Sequence, residues 1–454
     1  MASITSALLS SANALNTFSE TFSTIENNIT NANTPGYARQ DINLQPLPFD
    51  PAGGLAGGVN AGPLISSRSE FLEQDVRDQQ SLLGGAQQTA GDLGQIQTLF
   101  DLTSTSGVAS SITNLFNSFS QLSVSPNDDL SRQSVINQAV TLAQTIQQSA
   151  SGIAQVSANV ASQTGQVVNQ VNQIASQVAQ LNQQYASSGE AGQDAGLDAQ
   201  MHADLENLSQ IANFTVLKNG DGGFNVFLGG QTALVIGGTA FPIALDSTAN
   251  QSAILDSQGN DITSQVTQGQ LGAMIQERNT TLPGYQTSLN TLAQSLADAV
   301  NGQLAQGVDA NGVAGAPLFS YGAATDAASS IAVTDITPDQ IAAAVAGSPG
   351  GNGNAVALAQ LANAPSINGI TFTAFYGDLG AQVGNDVASA QQDQTQAQDQ
   401  LTQAQNQRST QSGVSLNEEA TQLLQFQQAY QAVGKMVSVL DQLTETVINM
   451  VQVP

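Results

Sequence analysis

The feature that most constrains the fold of this chain is a repeat of apolar residues near each of its two ends. Ser11 is the one polar position in the first series, which comprises Ile4, Leu8, Leu15, Phe18, Phe22, Ile25 and Ile29. Thr444 is the one polar position in the second series, which comprises Leu416, Ala420, Leu423, Phe426, Tyr430, Val433, Val437, Leu440, Val447 and Val451. A spacing of about 3.5 residues is typical of a coiled-coil seam, which is narrower than the apolar stripe of an ordinary surface helix. The sequence therefore predicts that an N-terminal and a C-terminal helix pair as a coiled coil.

The charge of the chain bears on its partners. There are 35 acidic and eight basic residues among 454, which gives a net charge of −27. Phosphate backbones and anionic lipid surfaces repel such a charge, so we expect neither nucleic acid nor a membrane as a partner. No stretch approaches the ~18 consecutive apolar residues of a membrane span. The first basic residue is Arg39, so a secretory signal with a basic start is not expected either.

Side chains that support catalysis or bind metals are scarce. The chain has no cysteine and a single histidine, His202, which we expect to be a solvated side chain. A transition-metal cluster needs further His or Cys ligands, and no nucleophile elbow surrounds a serine. The stretches Asp309–Gly312 and Asn219–Gly222 resemble fragments of calcium loops without the twelfth-position Glu, so we interpret them as tight turns. We predict no enzyme, no cofactor and no metal site.

Long helices are predicted between the two seams. The longest periodic stretch, residues 131–187, would be roughly 80 Å long as one helix, unless it breaks near Gly152 or Gly165. A second long helix is predicted from Phe372 to about Thr410. Its Gln-rich composition is also typical of disorder, but a sustained apolar seam favours a helix.

Glycine and proline affect two further helices. Gly84, Gly85 and Gly91 weaken the helix prediction that begins at Ser67. Pro283 is expected to kink the helix predicted over residues 266–306.

Two signals mark the ends of the terminal helices. The first helix ends at a motif in which Pro-Gly fits the central positions of a type II turn, because glycine tolerates positive φ. This motif comprises Asn33, Thr34, Pro35, Gly36 and Tyr37. At the other end, Ser415 and Glu418 have the spacing of a capping box for the terminal helix.

The periodicity changes from helical to alternating after residue 212. Apolar residues alternate on both sides of Asn219–Gly223, which predicts a β-hairpin. The whole pattern predicts a mainly α fold in four parts. These are a terminal coiled-coil assembly domain (1–38 with 411–454), a long-helix bundle (39–212 with 266–306 and 369–410), a β-hairpin-rich insert (213–265) and a Gly/Ala-rich mixed region (307–368).

Two motifs near the chain ends resemble the signatures of the bacterial flagellar rod, hook and hook-associated proteins. The first runs from Asn27 to Tyr37 and the second from Ser415 to Ala432. The middle of the chain, at Gly269–Arg278 and Gly307–Phe319, is similar to the hook-associated members that form the hook–filament junction. The chain departs from the family at Met201-His202, where an Arg-Asp pair is frequent.

The resemblance implies a structural, self-assembling protein that forms the junction ring between hook and filament. Implied partners are further copies of the chain, the hook protein, the second junction protein (hook-associated protein 3), flagellin and an export chaperone on the C-terminal helix. The implied location is extracellular, reached by flagellar type III export without signal cleavage. The alternatives are a hook or distal-rod structural protein and, in another class, a helical sensor or ligand-binding module. We also expect both seams to be mobile in the free monomer.

Overall fold

The computed structural model describes residues 2–50, 55–100, 107–188, 194–220, 222–248, 251–348 and 350–451. The helices of these residues are α1 (Ala2–Asn31), α2 (Glu70–Gln97), α3 (Val108–Val124), α4 (Asp129–Ser188), α5 (Ala195–Ile211), α6 (Gly269–Gln276), α7 (Leu282–Ala305), α8 (Ala327–Ser330), α9 (Gly353–Gln360), α10 (Phe372–Ser412) and α11 (Leu416–Val451). None of them is long and apolar enough to cross a bilayer.

The strands are short and form small antiparallel sheets. They are β1 (Gln40–Pro46), β2 (Phe49–Asp50), β3 (Leu55–Ala56), β4 (Val59–Ser66), β5 (Phe214–Lys218), β6 (Phe224–Leu228), β7 (Thr232–Ile236), β8 (Thr239–Ala240), β9 (Ala244–Ser247), β10 (Ser252–Leu255), β11 (Gly307–Val308), β12 (Phe319–Ser320), β13 (Ala332–Val333) and β14 (Ala344–Val345). The predicted fold class is confirmed: the chain is mainly α, with paired terminal helices, long helices and small β-rich segments.

The chain divides into two compact units. Unit 1 comprises Met1–Leu82, Val171–Pro242 and Ala397–Pro454, and unit 2 comprises Leu83–Gln170 and Ile243–Gln396. Helices α2, α4 and α10 each contribute residues to both units. The four domain boundaries drawn from the sequence stay a prediction.

Unit 1 contains the two terminal helices, α5 and two β structures. Strands β1 and β4 form an antiparallel hairpin that packs on α1, and β5 to β8 form a four-stranded sheet. The predicted hairpin pairs Phe214 with Leu228 and Lys218 with Phe224. Side chains of β6 alternate in burial, as expected of a strand with one face on a core. Asp221, in the predicted turn, lies outside the described residues.

Unit 2 has a core of helices α3, α6, α7 and α9 with the flanking parts of the long helices. The centre of this core is fully buried at Leu289, Leu292 and Leu296 of α7. The rings of Phe116 and Phe372 stack with centroids 5.9 Å apart. Two short strand pairs, β11 with β14 and β12 with β13, lie in its Gly/Ala-rich region.

The glycines of the long helices do not interrupt them. Helix α4 runs through Gly152 and Gly165 as one element of 60 residues. Helix α2 continues through its glycines to Gln97, although the sequence weakened that prediction. At Gly85 the absence of a side chain relieves a close contact, because a Cβ atom would lie 3.2 Å from the backbone oxygen of Gly269. The glycine lets α2 approach the start of α6.

A π turn at Glu277–Thr281 joins α6 to α7, and Pro283 lies in the first turn of α7. Proline has no N–H, and its ring collides with the carbonyl four residues earlier in a regular helix. A widened turn removes this collision. The predicted distortion at Pro283 therefore takes the form of a π turn just before it.

Candidate assembly site

Helices α1 and α11 pack against each other within unit 1. Near the start of α1, Ser11 Oγ lies 3.8 Å from the Sδ atom of Met436. Near the end of α1, Asn28 Nδ2 lies 3.2 Å from Glu419 Oε2, close to the start of α11. These contacts follow opposite orders along the two helices, so the helices are antiparallel.

Four aromatic residues of the predicted seams form a cluster between the helices. The ring centroids of Phe18 and Phe426 are 5.8 Å apart, and those of Phe22 and Tyr430 are 5.9 Å apart. Both pairs are tilted, and such pairs contribute about 0.5–1.5 kcal/mol each beyond the area that they bury. The cluster is the centre of the contact between the terminal helices.

The remaining seam residues are incompletely covered in the single chain. In α1, Ile25 is buried, and the half-buried members are Ile4, Leu8, Leu15, Phe18, Phe22 and Ile29. In α11, the half-buried members are Leu423, Phe426, Val433, Val437, Leu440 and Val447, and the exposed members are Leu416, Ala420 and Tyr430. The side chain of Val451 lies outside the described residues. The role of these residues as an assembly seam stays a prediction.

Helix α11 also carries a second apolar stripe, which the sequence analysis did not separate from the seam. It consists of Met436, Val439, Leu443 and Met450, which are between 49% and 74% exposed. Their spacing of three, four and seven positions places them along one side of a helix. Contiguous exposed apolar surface of this kind is characteristic of a surface that another molecule covers.

The two signature motifs meet at Asn28, which is 1% exposed. Its side-chain Nδ2 donates to the backbone oxygen of Gln40 (2.8 Å) and to Glu419 Oε2 (3.2 Å). Its Oδ1 accepts from the backbone N–H of Gln40 and from the hydroxyl of Tyr37, both at 2.9 Å. One amide therefore connects the end of α1, the start of β1 and the start of α11, across 391 positions of sequence.

Burial fixes the protonation of this network. Burial and, second, the nearby carboxylate of Glu419 raise the pKa of Tyr37 to about 12, so its hydroxyl keeps the proton that it donates to Asn28. Burial also raises the pKa of Glu419, and the hydrogen bond from Asn28 partly offsets this rise.

The capping box predicted at the start of α11 forms one of its two hydrogen bonds, since the Glu418 N–H donates to Ser415 Oγ (3.4 Å). The Glu418 carboxylate contacts Arg39 instead.

The turn motif lies between α1 and β1, with Asn33, Thr34 and Pro35 exposed. Gly36 has φ +73°, as the type II turn prediction requires. A Cβ atom at this position would overlap the carbonyl oxygen of Ala199 on α5, so glycine is needed for contact as well as for φ.

A buried ion cluster lies behind this turn. Arg68 binds Glu73 (2.6 Å) and Asp198 (2.8 Å), and it also donates to the backbone oxygen of Gly36 (2.5 Å). Arg408 binds Glu73 (3.1 Å) and Glu206 (2.8 Å). The cluster connects α2, α5 and α10, and it was not predicted from the sequence. The scarcity of basic residues, eight in the chain, is the available signal, because rare cations in an acidic protein tend to pair with carboxylates.

His202 borders this cluster, and the prediction of a solvated side chain is wrong. It is 2% exposed, because its face of α5 packs on β6, where its ring meets Phe224 edge-on at 5.4 Å. Its Nε2 lies 3.6 Å from Asp198 Oδ1. Burial and, second, the positive charge of Arg68 hold the pKa of His202 well below 6.5, so the ring is neutral. The family often has an Arg-Asp pair where this chain has Met201-His202, and in this chain the nearby ion pair is formed by Arg68 and Asp198.

The described residues contain no group of three or more His, Asp or Glu side chains arranged to hold a metal ion. The interpretation of Asp309–Gly312 as a tight turn fits the structure. Asp309 Oδ1 accepts from the backbone N–H groups of Asn311 and Val313, both at 2.8 Å.

Comparisons with known proteins give one consistent result. Residues 93–319, half of the chain, match the family model described as the flagellar hook-associated protein FlgK helical domain. Residues 405–450 match the C-terminal model of the flagellar basal body rod FlgEFG proteins.

Individual relatives agree with the family models. The chain is 28% identical to flagellar hook-associated protein 1 of Bacillus subtilis over 96% of both chains. It is 25% identical to the protein of that name in Escherichia coli, over 70% of this chain and 60% of that protein. The flagellar hook junction protein FlgK of Burkholderia pseudomallei has a similar fold, with a TM-score of 0.68 and 19% identity over 74% of this chain and 100% of that one.

Proposed function

Because the chain belongs to the family of the flagellar hook-associated protein FlgK, we propose that it forms the junction ring between the hook and the filament. It is a structural component of the bacterial flagellum and assembles with other flagellar components. Among the described residues, the observation that best supports the ring is the exposed stripe of α11. Helix α11 covers α1 on one side and presents Val439, Leu443 and Met450 on another.

Packing between copies would take these side chains out of water. Fully burying one large apolar side chain contributes about 1.5–3 kcal/mol. A ring in which each copy covers the stripe of the next is therefore favourable at each of its contacts. The Asn28 network keeps α1 and α11 in one arrangement, so that each copy presents the same surface.

The proposed role at the junction also implies specific partners, a location and a route of export. The ring would rest on the hook protein, and the second junction protein (hook-associated protein 3) and flagellin would assemble on it. We further infer that the protein is extracellular, reached through the flagellar export channel without a cleaved signal, with a chaperone on α11 before export. A chain without cysteines suits passage in an unfolded state, because no disulfide has to be reduced.

A hook or distal-rod role is the closest alternative. The C-terminal match at residues 405–450 is to rod proteins and does not separate the two roles. The match of residues 93–319 to the FlgK helical domain favours the junction.

Deletion of the gene in the producing bacterium tests the location. We expect complete hooks without filaments in electron micrographs, and flagellin in the medium. Cells without hooks would move the protein into the rod or hook, and normal filaments would contradict a flagellar role.

Complementation of the deletion tests the stripe. Leu443→Asp places a charge on the stripe, and Gln442→Asp places the same charge on the neighbouring exposed position. We expect both variants to be exported and only Gln442→Asp to restore filaments. Equal restoration by the two variants would show that the stripe is not an assembly surface.

A further inference from the structure

Two acidic side chains meet in the interior of unit 2. Glu277 begins the π turn and is 2% exposed, and Asp92 on α2 is 4% exposed. The Asp92 carboxyl and the Thr89 hydroxyl lie beside the Glu277 carboxyl. Neither Glu277 oxygen accepts a well-aligned hydrogen bond from a described residue. Asp92 is better satisfied, because Gln88 Nε2 donates to its Oδ2 at 2.6 Å.

Unit 2 has little positive charge with which to neutralise this pair. Its sequence ranges contain two basic residues, Arg132 and Arg278. Arg132 donates to the backbone oxygens of Pro126 and Ile341. Arg278 follows Glu277 directly but donates to Ser157 Oγ and to the backbone oxygen of Thr248.

The described groups that lie near the pair on the surrounding elements add no cation either. From α7, the hydroxyl of Tyr285 donates to Asp386 Oδ2 of α10 at 2.6 Å. From α4, the amide of Gln163 contacts Gln88. Two adjacent carboxylates in a dry interior repel each other strongly, and a proton between them removes the repulsion.

We propose that Asp92 and Glu277 share one proton as an acid–carboxylate pair, which connects α2 to the π turn and weakens when the pH rises. The Glu277 hydroxyl donates to Asp92, and loss of this proton leaves two buried anions. Burial and, second, Asp92 raise the pKa of Glu277 to about 9, which agrees with this arrangement.

The direction of the pH effect follows from linkage. The folded chain holds the proton up to about pH 9, whereas an unfolded Glu releases it near its ordinary pKa of 4.5. The pair therefore stabilises the folded state fully below about pH 4.5, and this contribution is lost as the pH rises toward 9. One proton changes the folding equilibrium constant by at most about tenfold per pH unit in this window.

Glu277→Gln tests the proposal, because glutamine has the shape of the protonated acid and keeps an N–H donor. Unfolding of the full chain and of the variant is followed by circular dichroism at several pH values between about 5 and 9. We expect the ratio of their folding constants to grow in favour of the variant by up to about tenfold per pH unit. A ratio that is independent of pH would overturn the proposal.

A control variant and a spectroscopic measurement complete the test. Asp393→Asn removes an exposed carboxyl from the same unit and should leave the pH dependence of unfolding unchanged. Infrared difference spectra of the folded proteins at neutral pH should contain a protonated-carboxyl band that Glu277→Gln removes. Absence of this band would overturn the proposal. Stabilisation by calcium of the wild-type chain, but not of Glu277→Gln, would also overturn it, because a cation and not a proton would then neutralise the pair.

Discussion

Arg68 makes three side-chain polar contacts behind the turn motif, to Glu73, to Asp198 and to the backbone oxygen of Gly36. Its side chain is 5% exposed, and its partners Glu73 and Asp198 are 4% and 8% exposed. Arg68→Ala would leave Asp198 buried without its arginine and Glu73 with Arg408 alone, and breaking a buried pair in this way costs about 3–5 kcal/mol. Urea unfolding followed by circular dichroism measures this loss.

Arg39 provides a control of the same residue type. Its pair with Glu418 is partly solvated, and an exposed pair is worth about 0–1 kcal/mol. Arg39→Ala should therefore cost much less than Arg68→Ala. Similar losses in the two variants would mean that the buried cluster contributes no more than a surface pair.

The burial of His202 leads to a second prediction at the residue scale. Here the folding stability should rise with pH, whereas the contribution of Glu277 falls as the pH rises. Because its pKa in the folded chain lies well below 6.5, the folded state takes up the proton less readily than the unfolded state. The stabilisation is present above about pH 6.5 and is lost as the pH falls below that value, by at most about 1.4 kcal/mol per pH unit.

His202→Gln should remove this acid-side loss. The measurement is thermal unfolding of both proteins between about pH 7.5 and 5. His202 is the single histidine of the chain, and the carboxyl groups are common to both proteins, so the difference isolates the ring. Parallel curves would contradict a neutral buried His202.

Contacts between residues that are distant in the sequence were not predicted at this scale. Composition says that bases are rare, but it does not say that Arg68 and Arg408 meet at Glu73, because the three residues come from distant parts of the chain. His202 was misjudged for the same reason. Its neighbours in sequence are polar, and its burial comes from Phe224 on a strand that follows later.

At the scale of elements, periodicity was the most reliable guide. It predicted α1, α4, α10 and α11, because a repeated apolar face depends on residues three and four positions apart. The three glycines weakened the helix prediction that begins at Ser67, but α2 continues through them to Gln97. The close approach of Gly269 to Gly85 is a tertiary contact that periodicity does not contain. Turn chemistry predicted Gly36 correctly, because positive φ is a local requirement.

Two glycine-to-alanine substitutions separate a special glycine from an ordinary one. Gly36→Ala adds a Cβ atom that overlaps Ala199 and forces alanine into a left-handed conformation, which alone costs about 1–2 kcal/mol. Gly434→Ala lies inside α11, where nothing is within 4 Å of the new atom, and should stabilise the chain by about 0.5–1 kcal/mol.

Thermal unfolding should therefore shift down for Gly36→Ala and up for Gly434→Ala. Downward shifts of equal size would indicate that the turn has no special requirement for glycine. Complementation of the deletion strain adds a second readout, in which we expect Gly36→Ala alone to reduce motility.

For the whole molecule, the incomplete cover of the terminal seams predicts a difference between monomer and assembly. Half-buried apolar residues in α1 and α11 leave these helices with less local stability than the core of α7. Hydrogen exchange of the monomer should show weak protection over residues 4–29 and strong protection over residues 289–300. Assembly should protect both ranges, and strong protection of residues 4–29 in the monomer would contradict the prediction.

The contact between Asn28 and Glu419 also has a consequence for the timing of folding. It joins residues 391 positions apart, so a chain that emerges N-terminus first cannot close it until nearly all of the sequence has followed. Local helices form in microseconds and do not have to wait. The module formed by α1, β1 and α11 is therefore the last part to become complete. Until residue 419 has emerged, a copy is unable to present the α1–α11 surface that we propose takes part in assembly.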